Sequence, residues 1–192
     1  MLWISHFMTF AFGAFAGIMI AQVGWDNKAA PTAANPPAQS PPSVSPEAAT
    51  AVAGRIQQLE SHLSHSPEDL DSRIQLGNAY FDTDKFESAI IHYSKALEAQ
   101  PRNADVIVDM GIAYRKIGRS DVAAQKFREA LVINDHHVNA RYNLGIVLKW
   151  DLDDIPGAVA AWDTLLLYTP NHPNAATLRL ELAQMRQAGP RR

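Results

Sequence analysis

The chain has 192 residues, a hydrophobic share of 47% and a formal net charge of −3. Those values suit one modest globular domain with appendages and argue against broad attraction to nucleic acid. It contains no cysteine, which excludes disulfides, thiolate metal sites and cysteine nucleophiles.

Residues 2–25 contain no Lys, Arg, Asp or Glu, and Phe7, Phe10, Phe12, Phe15, Ile18, Met19, Ile20 and Val23 make them strongly apolar. Trp3 and Trp25 bracket the stretch. In a helix they would stand about 33 Å apart, close to the roughly 30 Å hydrocarbon core of a bilayer, and tryptophan suits both interfaces. Residues 1–25 therefore read as a transmembrane anchor. A cleaved signal peptide is the alternative, although no basic n-region precedes the stretch and its apolar run is long for one. Gly13 and Gly17 form a G-x-x-x-G face with Ala14 and Ala21 nearby, which would let two copies pair as a homodimer in the membrane. Lys28, beside Asp26, is the single basic residue close to the anchor and says little about orientation.

Residues 26–45 carry Pro31, Pro36, Pro37, Pro41 and Pro42 among Ala, Asn, Ser and Gln. With no periodic apolar pattern, this segment reads as a disordered linker. Ser45-Pro46-Glu47 is a helix-start signal. It opens an N-terminal capping segment, 46–66, whose helix carries Val52, Ile56, Leu59 and Leu63 on one face.

Ser66-Pro67-Glu68 repeats the start signal. Three units follow, 67–103, 104–137 and 138–172. Each reads as two amphipathic helices: 70–83 with 86–99, 104–117 with 120–133, and 138–150 with 155–168. Gly77, Gly111 and Gly145 recur at a 34-residue interval, with Tyr80, Tyr114 and Leu148 three residues beyond them. In the second helices the matching places hold Ala89, Ala123 and Ala158, then Tyr93, Phe127 and Trp162. Glycine inside a helix costs about 0.5–1 kcal/mol relative to alanine, so three in one register need a packing reason. The small groups let paired backbones approach, and the aromatic fills the notch. The third turn, Trp150 to Pro156, is one residue longer than its counterparts, an insertion expected to leave the interhelical packing unchanged. A last helix over 173–187, with Leu178, Leu182 and Met185 on one face, reads as a C-terminal cap over an otherwise exposed apolar end. Residues 188–192 form a tail.

Over about 70–172 this pattern resembles the tetratricopeptide repeat (TPR) family, whose 34-residue period is a specific signature. The resemblance implies an all-α fold: a right-handed TPR solenoid of three helix pairs with flanking capping helices, carried on the one N-terminal transmembrane helix. It implies a protein-binding function and no cofactor. In that family the groove is lined by the second, fifth, ninth and twelfth positions of each first helix. Mapped here, those positions fall on Asp71, Ile74, Asn78 and Phe81, on Asp105, Val108, Ile112 and Arg115, and on Asn139, Tyr142, Ile146 and Lys149, with Lys116 and Asn143 adjacent. Ile74 stands where the chaperone-binding members carry a lysine, which disfavours a chaperone clamp. The apolar stripe, with Arg115, Lys116 and Lys149 along one edge, suits a short apolar or amphipathic peptide whose acidic end meets the basic edge. The competing reading is that some of these side chains pack under the neighbouring helix and bind nothing.

The run Gly157-Ala158-Val159-Ala160-Ala161-Trp162, the segment Pro170-Asn171-His172-Pro173-Asn174 and the membrane anchor are together similar to accessory subunits of bacterial cytochrome c maturation. That similarity implies a single-pass protein of the bacterial inner membrane. Its repeat domain would lie on the periplasmic side and hold an apocytochrome segment near a haem lyase. A self-assembling scaffold and a regulatory subunit of a membrane enzyme are the alternatives. No catalytic constellation is present: there is no nucleophile elbow, P-loop or dinucleotide fingerprint. His62 and His65, three apart, and the adjacent His136 and His137 lack the further ligands zinc requires, so they read as solvated surface histidines and no metal is expected. Glu68, Asp69 and Asp71 read as acids meeting a helix N-terminus.

Overall fold

The computed structural model describes residues 46–188. The expected membrane helix with Gly13 and Gly17, the Pro-rich linker and the last four residues lie outside that range. Within it every regular element is helical: α1 (Pro46–His65), α2 (Leu70–Phe81), α3 (Phe86–Ala99), α4 (Ala104–Lys116), α5 (Ser120–Ile133), α6 (Val138–Ile146), a π-helical turn (Val147–Asp151), α7 (Ile155–Tyr168) and α8 (Ala175–Ala188). Among the described residues no helix is long and apolar enough to cross a membrane.

Each helix packs on the next in sequence, and α4 also touches α6. This is the nearest-neighbour stacking of a solenoid. The core runs along the stack in three parts. Ile56 of α1 meets Leu76 and Ala79 of α2, flanked by Val52, Leu59 and Leu63. Ala89, Tyr93 and Ala96 meet Val106 and Met110. The largest part runs from Ile107 and Phe127 through Leu144 and Trp162 to Leu178, Leu182 and Met185. The apolar faces of α1 and α8 thus cover the two ends of the helix pairs.

Three helix starts share one device. Asp69, Asn103 and His137, at 34-residue intervals, cap α2, α4 and α6. Their side chains accept from the N–H groups of Ser72 (3.1 Å), Val106 (3.2 Å) and Ala140 (3.3 Å), satisfying donors a helix leaves open. The first of these helices starts at Leu70, its expected first residue, with Asp69 rather than Ser66 as the cap. Ser66 instead accepts from the N–H of Asp69 (3.1 Å) in a turn, and the helix begins after Asp69. The Ser72 N–H and hydroxyl and His62 (2.7 Å) hold the Asp69 carboxyl down at about 2. His172 plays a similar part ahead of α8: its Nδ1 accepts from the Asn174 N–H (3.1 Å) and its carbonyl from that of Ala175 (2.8 Å). That moves the last helix two residues beyond the expected start at Pro173.

The turns inside each pair also repeat. Asp84 (φ 57°), Gly118 (φ 78°) and Asp153 (φ 52°) all adopt the left-handed conformation that glycine and short polar residues tolerate best. The third turn corrects an expectation. Its extra residue is not confined to a loop: it widens the end of the first helix into a π turn, where the Leu152 N–H donates to the Val147 carbonyl (3.0 Å). Single π turns of this kind absorb one-residue insertions inside helices.

Candidate functional site

The glycine notches set how closely each first helix lies on its partner. A Cβ added to Gly77 would meet the Tyr93 ring at 2.7 Å, and one on Gly111 would meet the Phe127 ring at 2.7 Å. One on Gly145 would lie closest of all, against the Trp162 indole nitrogen. Ala89, Ala123 and Ala158 are completely buried beside these rings. Two of the aromatics also make polar ties. The Tyr93 hydroxyl donates to Asn78 Oδ1 (2.8 Å), and Trp162 Nε1 donates to the Tyr142 carbonyl (3.1 Å). Tyr80 donates its hydroxyl to Glu60 of α1 and stacks on His92 with ring centroids 5.3 Å apart, while Arg119 lies over Tyr114 at 5.4 Å.

Along α2, α4 and α6, the side chains of Ile74, Phe81, Ile112, Tyr142 and Ile146 are half-buried at the margin of the core. Val108 is different. Only 2% exposed, it belongs to the cluster that α4 shares with α5 and α6, so its place in the open stripe is corrected. Tyr142 is partly committed as well: its hydroxyl accepts from Asn174 Nδ2 (2.8 Å), and its ring lies 5.2 Å from that of His172. Asn143 donates to the Asn139 carbonyl (2.8 Å) on its own helix.

The basic edge is largely neutralised within the chain, contrary to the expectation of three available cations. Arg115 places Nε and Nη2 on the Asp151 carboxylate at 2.6 and 3.1 Å, and Ser120 Oγ adds a third bond to it at 2.9 Å. These bonds raise the guanidinium and lower the carboxyl relative to their usual ranges. Lys149, its side chain only 10% exposed, pairs with Glu181 of α8, and its ammonium sits 3.9 Å from the Trp150 ring centroid. Asp151, Lys149 and Trp150 all belong to the π turn, so the inserted residue carries the groups that close this edge. Lys116 alone of the three stays exposed without a carboxylate partner, its ammonium 5.9 Å from the Phe86 ring.

One feature of this face escapes the positional mapping. Between α2, α3 and α4 lies a pocket of about 280 Å³ lined by Asn78, Phe81, Asp82, Tyr93, Asp109 and Ile112. Asp109 is the unexpected member, an acid flanked by Val108 and Met110 in the apolar middle of α4. Burial, reinforced by the charge of Asp105 and opposed by His137, pushes its carboxyl up to about 6. Burial, with the charges of Asp109 and Asp82, raises the Tyr93 phenol, which stays protonated as a donor. An acid set in an apolar stretch is the signal that could have flagged the site from sequence.

The histidines need one correction. His137 is 9% exposed rather than solvated. Because its Nδ1 accepts the Ala140 N–H, the proton of the neutral ring lies on Nε2, which donates to Asp105 Oδ1 (3.1 Å). No group of three metal-ligating side chains occurs among the described residues.

The family described as "TPR repeat" is matched by residues 77–118. Those residues, α2 to α4 and the turns between them, are similar to one tetratricopeptide repeat and its neighbour. A curated relative, the RNA polymerase-associated protein CTR9 of Caenorhabditis elegans, is 27% identical over 122 residues, or 62% of this chain and 11% of that protein. The TPR region therefore corresponds to a small part of that relative. Among solved structures, MamA superposes with a TM-score of 0.66 at 19% identity, covering 72% of this chain and 79% of its own, and shows the shared fold. The first TPR of Spaghetti (RPAP3), bound to the HSP90 peptide SRMEEVD, superposes with a TM-score of 0.57 at 25% identity over 63% of this chain and 93% of its own. The TPR fold is an interaction scaffold. Within it, the structure joins Asn78, Phe81 and Ile112 in one pocket and turns Val108, Arg115 and Lys149 inward to internal partners.

Proposed function

We propose that this chain is a membrane-tethered, non-catalytic TPR adaptor that holds a short amphipathic segment of a partner protein along α2, α4 and α6. The observation that carries the reading is the row Ile74, Phe81, Ile112 and Ile146. These apolar side chains stay half exposed on consecutive first helices while Val108 beside them is buried. Their burial on binding would supply most of the affinity. Peptide capture by the RPAP3 repeat supports this use of the fold. The tether rests on the charge-free residues 2–25. The similarity to cytochrome c maturation subunits supports assembly of c-type cytochromes at a haem lyase as the process, with the repeats on the periplasmic side.

A photo-crosslinking residue placed at Ile112 or Ile146 in the full-length chain, in cells, tests this reading. Adducts to one extended segment of a partner are expected, with an apocytochrome C-terminal region as the specific outcome. Adducts that form only from convex positions would refute the groove reading, and adducts to another protein would refute the cytochrome assignment alone.

Self-assembly is a second reading, drawn from Val132 and Leu167. These residues occupy equivalent places on α5 and α7 and are strongly exposed. Concentration-dependent oligomers that Val132→Lys with Leu167→Lys dissolves would favour it.

A further inference from the structure

We propose that the pocket between α2 and α4 is the specificity site of the binding face and that it takes a lysine or arginine side chain of the partner segment. The proposal rests on the groove reading above and adds the chemistry of its ligand. At about 280 Å³ the pocket lies just below the roughly 300–1,000 Å³ of small-molecule sites, a size for one side chain. Phe81 and Ile112 contribute apolar walls suited to an aliphatic stem, and long basic side chains bury such stems readily. At the polar end the Tyr93 hydroxyl is already spent on Asn78 Oδ1. What remains on offer are the Asn78 amide nitrogen, a donor, and the two carboxylates of Asp82 and Asp109 as acceptors.

The charges around the pocket name the occupant. Asp109 receives no hydrogen bond from any described residue, and the charges that act on it are Asp105, of like sign, and His137. The His137 proton points to Asp105 instead. Of the cations on this face, Arg115 and Lys149 are held by Asp151 and Glu181, and the Lys116 ammonium lies over the Phe86 ring at 5.9 Å. A half-buried carboxylate without a counter-charge is destabilising, so an incoming ammonium or guanidinium gains more here than on the open surface, and an incoming carboxylate is repelled. The groove thus has the opposite electrostatic preference to one that would hold an acidic peptide such as the SRMEEVD bound by the RPAP3 repeat.

A phage-displayed library of random dodecapeptides, selected on the full-length chain in detergent micelles, tests the assignment. Binders should carry Lys or Arg at one position. Replacing that residue by norleucine should weaken binding about tenfold, and Asp109→Asn should abolish the difference between the two peptides. Should Asp109→Asn fail to fold, the wild-type chain decides. Its Asp109 carboxyl, followed by carbon NMR, should titrate lower with the basic peptide bound and stay in place with the norleucine peptide. Binders that are lost on Ile112→Glu yet show no basic preference, or keep it in Asp109→Asn, would overturn the inference and leave the groove standing. Binders indifferent to both Ile112→Glu and Ile146→Glu would overturn the groove reading and the inference together.

Discussion

At the α6 end of the binding face Arg115 is closed onto Asp151 and Lys149 onto Glu181, and Tyr142 is clasped by Asn174. At the α2 end Asp109 and Asp82 line a pocket, and their carboxylates form no ion pair with any described residue. Both ends are built on the same glycine–aromatic frame, so the difference comes from the polar side chains and from the π turn that presents Lys149 and Asp151 at the α6 end. Where polar groups find partners inside the chain they fasten one repeat to the next. Where they do not, the chain bears a desolvation cost that protonation or an incoming counter-charge would relieve. Under the proposed function, the polar groups of the α6 end serve mainly to fasten the repeats, and those of the α2 end are left for recognition.

The comparison breaks most sharply at the frame itself. Gly145→Leu should cost about 3 kcal/mol, at the upper end for overpacking, because the Trp162 ring and its bond to the Tyr142 carbonyl are both displaced. Gly111→Leu should cost about 1–3 kcal/mol. Urea denaturation measures both. Equal losses would mean that the contact of Gly145 with Trp162 is no tighter than its counterpart.

Next in size is the fastening of α6 to α8. Glu181→Ala should cost about 2 kcal/mol, since it leaves the nearly buried Lys149 without its counter-charge. Glu181→Leu combined with Lys149→Met should recover most of that loss. A double variant as unstable as the single one would show that packing around α8, and not the ion pair, carries the energy.

The smallest effect has the opposite sign. Asp109 rises from 3.8 to about 6 in the folded chain, so its contribution favours folding at low pH and is lost as pH rises from about 4 through 6. Asp109→Asn should therefore stabilise the protein by about 1 kcal/mol at pH 7, after allowance for partial exposure, and leave stability unchanged near pH 4. Stability curves at the two pH values measure this. Destabilisation at pH 7 would show that Asp109 has an internal partner, and the distinction between the two ends would disappear.

Much of this arrangement was legible in the residues. The glycine register, its aromatic partners and the apolar faces of Val52 to Leu63 and Leu178 to Met185 follow from spacing, because local helix geometry alone decides which side chains share a face. The N-caps were equally readable, for Asp69, Asn103 and His137 repeat at the same interval, but the Ser-Pro-Glu signal at 66–68 drew attention three residues too early. Asp109 was visible as an acid between Val108 and Met110. A rule that assigns the groove by helix position passes over it, because the pocket is made by three helices rather than one.

Sequence alone determined the all-helical class, the 34-residue period, the notches and the two covering helices, all of them properties of contacts between near neighbours in the chain. Tertiary structure decided what lies between distant residues. It turned Val108 into core, tied Arg115 to Asp151 across 36 residues and Lys149 to Glu181 across 32, and converted an expected loop insertion into a π turn. Charge pairing and burial depend on which helices meet and at what distance, and a one-dimensional period carries no such information. The same packing left Asp109 without a counter-charge.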